Sequence, residues 1–202
     1  MLLQPSLGVG KSVKRRYLLL HTFSGASLTP SDLGPSFEAN ANLPVTGGVL
    51  TKSGSGSQES RALGVGANVV AQIKVNFGNS AGTDRRAQLR IRRDAASTND
   101  FIEVELSRTG GSITLRRVDA GSATNIGSAA VTVADSTNYW VRISADGSRL
   151  EVFTSTDGAA WTSRITATES AYVTNQAVVL RLVDNVASPT LTIDDLLVWR
   201  AP

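Results

Sequence analysis

The sequence predicts an all-β chain, a two-sheet antiparallel β-sandwich preceded by an extended N-terminal arm, and three observations carry that expectation. Apolar and polar residues alternate in run after run. In Val69–Phe77 the set Ala71, Ile73, Val75 and Phe77 interleaves with Gln72, Lys74 and Asn76, and period two marks a strand with one buried face. Turn-forming pairs separate the runs at Gly110-Gly111, Asp146-Gly147 and Asp157-Gly158. Helical spacing is absent over any window long enough to count.

Residues 1–16 (MLLQPSLGVGKSVKRR) have neither periodicity and contain Pro5, Gly8 and Gly10, so they read as an extended arm. Residues 17–202 read as one domain. The best strands are Val69–Phe77, Arg86–Arg93, Phe101–Ser107, Ser112–Asp119, Asn138–Ala145, Arg149–Ser155, Gln176–Asp184 and Thr190–Trp199. The SGSGS tract at Ser53–Ser57 is closely flanked by apolar strands, which favours a long flexible loop within the domain over a boundary. Consecutive hairpins without crossover helices give a sandwich or jelly roll.

Composition agrees. The 202 residues are enough for one large sandwich. Charged residues make up 18%, glycines number 18 and cysteine is absent, so the fold must hold without disulfides or thiolate metal sites. No apolar run reaches the roughly 18 residues of a membrane span.

The net charge is +3, and arginines outnumber lysines sixteen to four. Arg85, Arg86, Arg90, Arg92 and Arg93 crowd one strand, and Arg108, Arg116 and Arg117 follow. A basic strand suits a phosphate backbone, yet the interleaved aromatics that would stack bases are nearly missing. The sequence therefore argues against nucleic acid as a partner. Parity offers another reading. If Leu89 and Ile91 share the core face with Ile102, Val104 and Leu106, then Arg90, Arg92, Glu103, Glu105 and Arg116 share the outer one. A solvated Arg–Glu–Arg stripe is expected, at about 0.2–1 kcal/mol per cross-strand pair.

Catalytic patterns fail one after another, and no catalytic residue is assigned. The one histidine, His21, lies on the first strand without an apparent nucleophile. GVGKS (Gly8–Ser12) lacks the full phosphate-loop spacing. Glu103 and Glu105 share a strand face, but arginine neighbours oppose the proton that a general acid must hold.

The hairpin NYWVRISADGSRLEVFTSTDGAAWT (138–162), the ending TLTIDDLLVWR (190–200) and, more weakly, LLLHTFSGASLTPSDLG (18–34) resemble the concanavalin A-like lectin/glucanase superfamily, a LamG-like jelly roll, in the form found in bacteriophage tail and virion proteins. The glucanases of that superfamily carry an E-x-D-x-x-E strand motif, which DFIEVEL (Asp100–Leu106) does not match. STDGAAWT also resembles an Asp-box turn, which implies that Trp161 plugs the sandwich. Asp194-Asp195 is the weak Ca2+ candidate. No other cofactor is expected.

On the hairpin, Val141, Ile143, Leu150 and Val152 form the core face, so Trp140, Arg142, Glu151 and Phe153 point the other way. The resemblance implies a non-enzymatic virion structural protein: a bacteriophage tail-associated, fibre or decoration subunit, assembled in the host cytoplasm and homo-oligomeric within its particle. Met1, Leu2 and Leu3 would bury against another virion subunit, and Lys14, Arg15 and Arg16 would meet an acidic surface. The alternative is a carbohydrate-binding module that recognises host surface glycans through Trp140, Arg142, Phe153 and Trp161.

Overall fold

A computed structural model describes residues 17–21, 27–28, 37–38, 45–46, 48–62, 65–79, 81–94, 99–186 and 190–201. Sixteen strands run through these residues: β1 Tyr17–His21, β2 Ser27–Leu28, β3 Phe37–Glu38, β4 Val45–Thr46, β5 Val49–Thr51, β6 Gly56–Ala62, β7 Val69–Asn76 and β8 Arg86–Arg93 in the first half, then β9 Phe101–Ser107, β10 Ser112–Asp119, β11 Ser122–Ala130, β12 Asn138–Asp146, β13 Arg149–Ser155, β14 Thr162–Thr168, β15 Ala177–Asp184 and β16 Thr192–Arg200.

They form two antiparallel sheets. A nine-stranded sheet runs β14-β13-β12-β7-β16-β5-β4-β2, with β1 also on β16, and a seven-stranded sheet runs β11-β10-β9-β8-β15-β6-β3. Successive strands lie in different sheets at β2–β3, β3–β4, β5–β6, β6–β7, β7–β8, β11–β12, β14–β15 and β15–β16, which is why hydrogen-bonded neighbours are so often distant in sequence. The SGSGS tract makes the β5–β6 crossing. It is a short turn, and β6 begins inside it at Gly56.

The core lies between the sheets. Ile73, Val75 and Phe77 from one side meet Leu89, Ile91, Ile102, Val104, Leu106 and Leu180 from the other, all at most 1% exposed. Each such side chain contributes about 1.5–3 kcal/mol, so apolar burial dominates stability. Where the outer strands β11 and β14 meet, a Cβ on Gly127 would lie 2.7 Å from Ile165 Cγ2. Glycine is needed there for close approach.

Five strand pairings carry a bulge or an irregular register, and two of them place residues singled out in the sequence. On β8, Arg90 pairs with Val179 and Arg93 with Ala177, so two residues oppose one. The extra residue, Arg92, has φ of 53°, and the strand beyond it flips parity. Arg92 therefore does not share the outer face with Arg90, contrary to expectation. It is 0% exposed and turns to the other sheet, donating to the carbonyls of Ala67 (3.2 Å), Glu169 (3.2 Å) and Gly147. On β16 the extra residue is Asp195, at φ 56° between Asp194 and Leu196. Ile193, Leu196 and Val198 can then all reach the core.

The outer face of the seven-stranded sheet carries the expected Arg–Glu–Arg stripe. Glu103 lies opposite both Arg90 and Arg116, accepting from Arg90 Nε at 2.8 Å and from Arg116 Nη1 at 3.5 Å. Glu105 accepts from Arg86 Nη1 (3.1 Å), Gln88 Nε2 (2.6 Å) and Arg116 Nη2. The carboxylates and Arg90 are buried, whereas sequence parity places the stripe in solvent: Glu103 is 3%, Glu105 4% and Arg90 6% exposed, with Arg116 partly exposed at the edge.

Burial changes the energetics. A buried ion pair adds little net stability, but removing one partner strands the other at a cost of about 3–5 kcal/mol. An exposed pair is worth about 0–1 kcal/mol. Glu103→Ala is expected to destabilise the fold by about 3–5 kcal/mol in urea denaturation. Arg149→Ala, which breaks the Arg149–Glu151 pair where Arg149 is 66% exposed, is expected to change it by less than about 1 kcal/mol. Equal effects would contradict the assignment of the stripe as a buried lattice.

Candidate functional site

The bulge at Arg92 also builds a cleft. With parity flipped, Arg93 joins Arg90 on the outer face of the seven-stranded sheet, and both reach Glu59 of β6. Arg93 Nη1 donates to Glu59 Oε1 at 2.8 Å and Arg90 Nη1 to Oε2 at 3.1 Å. The Arg90 guanidinium sits 4.1 Å from the centroid of the Phe101 ring, a cation–π contact that holds its plane. Around these residues opens a cleft of about 460 Å3, walled further by Ser57, Asn99, Val118, Gly121 and Arg181. That volume lies within the range of small-molecule sites.

Its electrostatics are lopsided. Among the described lining residues there are three guanidiniums, Arg90, Arg93 and Arg181, against the single carboxylate of Glu59. Arg181 projects from β15, where the run AVVLRLVD is otherwise apolar until Asp184. Its hydrogen bonds go to neutral acceptors, Gln88 Oε1 at 3.0 Å and Ser57 Oγ at 2.8 Å. Burial, and after it the neighbouring Arg90 charge, push this guanidinium below its ordinary value, against the opposing attraction of the Glu103 and Glu59 carboxylates. Arg93 Nε is buried without a hydrogen-bond acceptor.

The residues expected to bind carbohydrate lie on the outer face of the other sheet. Register confirms their direction: Trp140 pairs with Ser155, Arg142 with Phe153 and Ser144 with Glu151, while Val141, Ile143, Leu150 and Val152 are buried in the core. Trp140, Arg142 and Trp161 come together, and protein groups already occupy them. Arg142 stacks 3.5 Å from the Trp161 centroid and 5.4 Å from that of Trp199. It also donates from Nε and Nη2 to Gln72 Oε1, at 3.1 and 2.8 Å. Lys74 Nζ lies 5.6 Å from the Trp140 ring, and Gly158 packs so close to that ring that a Cβ would sit 3.1 Å from it. Trp161 thus clamps Arg142 on the outside of the sheet and does not plug the sandwich, a correction to the Asp-box reading.

Asp157 does shape the turn as that reading implied. Its Oδ1 accepts from Ala159 N, Ala160 N and Ser155 Oγ, each at 2.8 Å. Of the calcium candidates, Asp194 is paired with Lys74 at 2.8 Å. Asp195 is held above the usual carboxylate range by burial and then by the Asp194 charge. Among the described residues no group of three or more His, Cys, Asp or Glu is placed to hold a metal ion. The arm residues Met1, Leu2, Leu3, Lys14, Arg15 and Arg16 lie outside the described residues.

No family model matches the chain, and no curated protein matches it by sequence. Solved structures do resemble it. Carbohydrate-binding module CBM66 from Bacillus subtilis superposes with a TM-score of 0.62 at 11% identity, over 91% of this chain and 96% of that one. The VIP36 exoplasmic/lumenal domain in its Ca2+/Man2-bound form gives 0.64 at 12% identity, over 90% and 86%. The GH43 protein BlXynB from Bacillus licheniformis gives 0.67 at 12%, over 93% of this chain, which spans only 40% of that one. At such identities the likeness is one of fold. The chain has the two-sheet jelly roll of concanavalin A-like lectin and carbohydrate-binding folds, as its hairpin and closing strand implied.

The three hydrogen bonds hold the Asp157 carboxyl below the usual carboxylate range. The folded form therefore binds its proton less readily than the unfolded chain, where the value is about 3.9. Asp157's contribution is complete above that unfolded value and is lost as pH falls through the folded one. The amide protons of Ala159 and Ala160 are expected to titrate together by NMR, with a midpoint below about 3.9, and to lose the transition in Asp157→Asn. A midpoint at or above that value would contradict the turn geometry.

Proposed function

We propose that this protein is a non-catalytic glycan-binding module whose binding site is the cleft on the seven-stranded sheet. The observation that carries the reading is the cleft itself: an aromatic ring at Phe101 beside convergent polar groups from Ser57, Glu59, Asn99 and Arg181. An apolar surface with a few fixed donors and acceptors is what a saccharide ring requires. The fold supports the reading, because CBM66 is a carbohydrate-binding module and VIP36 was solved with mannose oligosaccharides. The carboxylates nearest the cleft support a binding role without bond cleavage. Glu59 has both oxygens committed to arginines, and Glu103 is likewise held by Arg90 and Arg116.

The tryptophan face is the second location: Trp140 and Trp161 carry Gly158 and Arg142 as Phe101 carries Arg90, and what favours the cleft is the convergence of Ser57, Glu59, Asn99 and Arg181 around it. The virion reading rests on residues 1–16, which lie outside the described residues, and the neighbours named above lend it no support.

A glycan array with the intact protein is expected to give binding without hydrolysis. Ser57→Trp, which fills the cleft from an exposed position on β6, is expected to abolish that binding. Retained binding in Ser57→Trp together with loss in Trp140→Ala would move the site to the other sheet.

A further inference from the structure

The distribution of charge in the cleft says more about what fills it. On the outer face of the seven-stranded sheet the carboxylates are spoken for. Glu103 is shared by Arg90 and Arg116, Glu105 by Arg86 and Arg116, and Glu59 by Arg90 and Arg93. Asp84 pairs with Arg86. Among the described side chains of that face, Arg181 is the guanidinium without a salt bridge: half-buried, touching the cleft, and hydrogen-bonded to the neutral Gln88 and Ser57.

Gln88 cannot relieve it. Its Oε1 already accepts from Arg90 Nη2 at 3.3 Å as well as from Arg181, and its Nε2 donates to Glu105. Beside it, Arg93 is paired with Glu59 through Nη1, while its buried Nε has no acceptor, which leaves a second guanidinium donor unsatisfied on a residue that walls the same cavity. Poorly hydrated cations around a concave site focus a positive potential into it. An arginine fork matches a planar carboxylate with two parallel hydrogen bonds.

We infer that the cleft is selective for an acidic saccharide, a uronic acid whose carboxylate pairs with Arg181 while its ring lies beside Phe101 and Asn99. The inference rests on the glycan-binding reading and sharpens it. Ser57, exposed and already touching Arg181, sets the near edge of the carboxylate site. Phe101, with Arg90 stacked upon it, sets the floor.

The test is calorimetric titration of the full chain, at low ionic strength, with oligogalacturonate, with its neutral methyl ester and with dextran sulfate. Oligogalacturonate is expected to bind at least tenfold more tightly than the ester. Arg181→Gln should lose at least tenfold for the acid and little for the ester. Arg181→Lys, which keeps the charge but not the fork, should lose at least fivefold for the acid. Ser57→Asp places an anion against Arg181 from an exposed position that leaves folding intact, and it should weaken the acid to the same extent.

Acid and ester bound equally, with neither affected by Arg181→Gln or Ser57→Asp, would overturn the inference and leave the glycan-binding reading standing. Dextran sulfate bound as tightly as oligogalacturonate and indifferent to Arg181→Gln would also overturn it, by showing diffuse charge attraction. If these probes and a broad panel of neutral glycans all fail to bind, the glycan-binding reading falls as well.

Discussion

The buried lattice Arg90–Glu103–Arg116 sets the terms for everything on the outer face of the seven-stranded sheet. Three adjacent strands contribute one member each, and the central carboxylate lies opposite both cations. The stripe matters less for net stability than for register. A one-residue slip of β9 would send Glu103 and Glu105 into the core beside Leu89, Ile91, Ile113 and Leu115 of the neighbouring strands and turn Val104 and Leu106 outward. A charge placed there without a partner costs several kcal/mol, so apolar burial drives the collapse and the lattice selects which alignment survives.

The lattice also consumes the carboxylates of that face and so determines what remains. Glu103 and Glu105 are tied up by the strands beside them, and Glu59 bridges from β6 to the two arginines of β8. The bulge at Arg92 is the hinge of this arrangement. Without the extra residue, Arg93 would point toward the core and Arg92 would stand in the stripe. With it, Arg92 ties the end of β8 to Ala67, Gly147 and Glu169 of the opposite layer, and Arg93 becomes a wall of the cleft. A single residue of excess backbone thus turns Arg93 outward to wall the cleft that Arg181 also lines.

Much of the fold was legible because period two survives wherever one strand face is buried. The bounds of Arg86–Arg93, Phe101–Ser107, Ser112–Asp119 and Arg149–Ser155 are those the alternation indicates. β11 (SATNIGSAA) and β14 were not legible: they are outer strands with few buried residues, so they lack an apolar face to betray them. β6 was hidden by the glycines and serines at its start. The pairing of Glu103 with both arginines followed from parity, but its burial did not, because exposure depends on neighbours that parity does not see. The left-handed backbone at Arg92 had no glycine or asparagine to announce it, which is why Arg92 and Arg93 exchange their expected roles. In the cleft, the lone charge of Arg181 within an apolar strand was a signal in plain view. Its partner Ser57 lies 124 residues away, a separation no local pattern spans. The tryptophans were read correctly in direction, but Arg142 takes up the stacking surface of Trp161.

The central claim is that the lattice leaves Arg181 as the unmatched cation of a saccharide cleft, and a crystal structure of the chain with a short oligogalacturonate tests it most directly. The account expects a uronate carboxylate about 2.7–2.9 Å from the Arg181 guanidinium nitrogens, with Glu103 still bridging Arg90 and Arg116. A saccharide seated on Trp161 and Trp140 with the Arg181 cleft empty would contradict it, as would a Glu59 or Glu105 carboxylate swung over to neutralise Arg181.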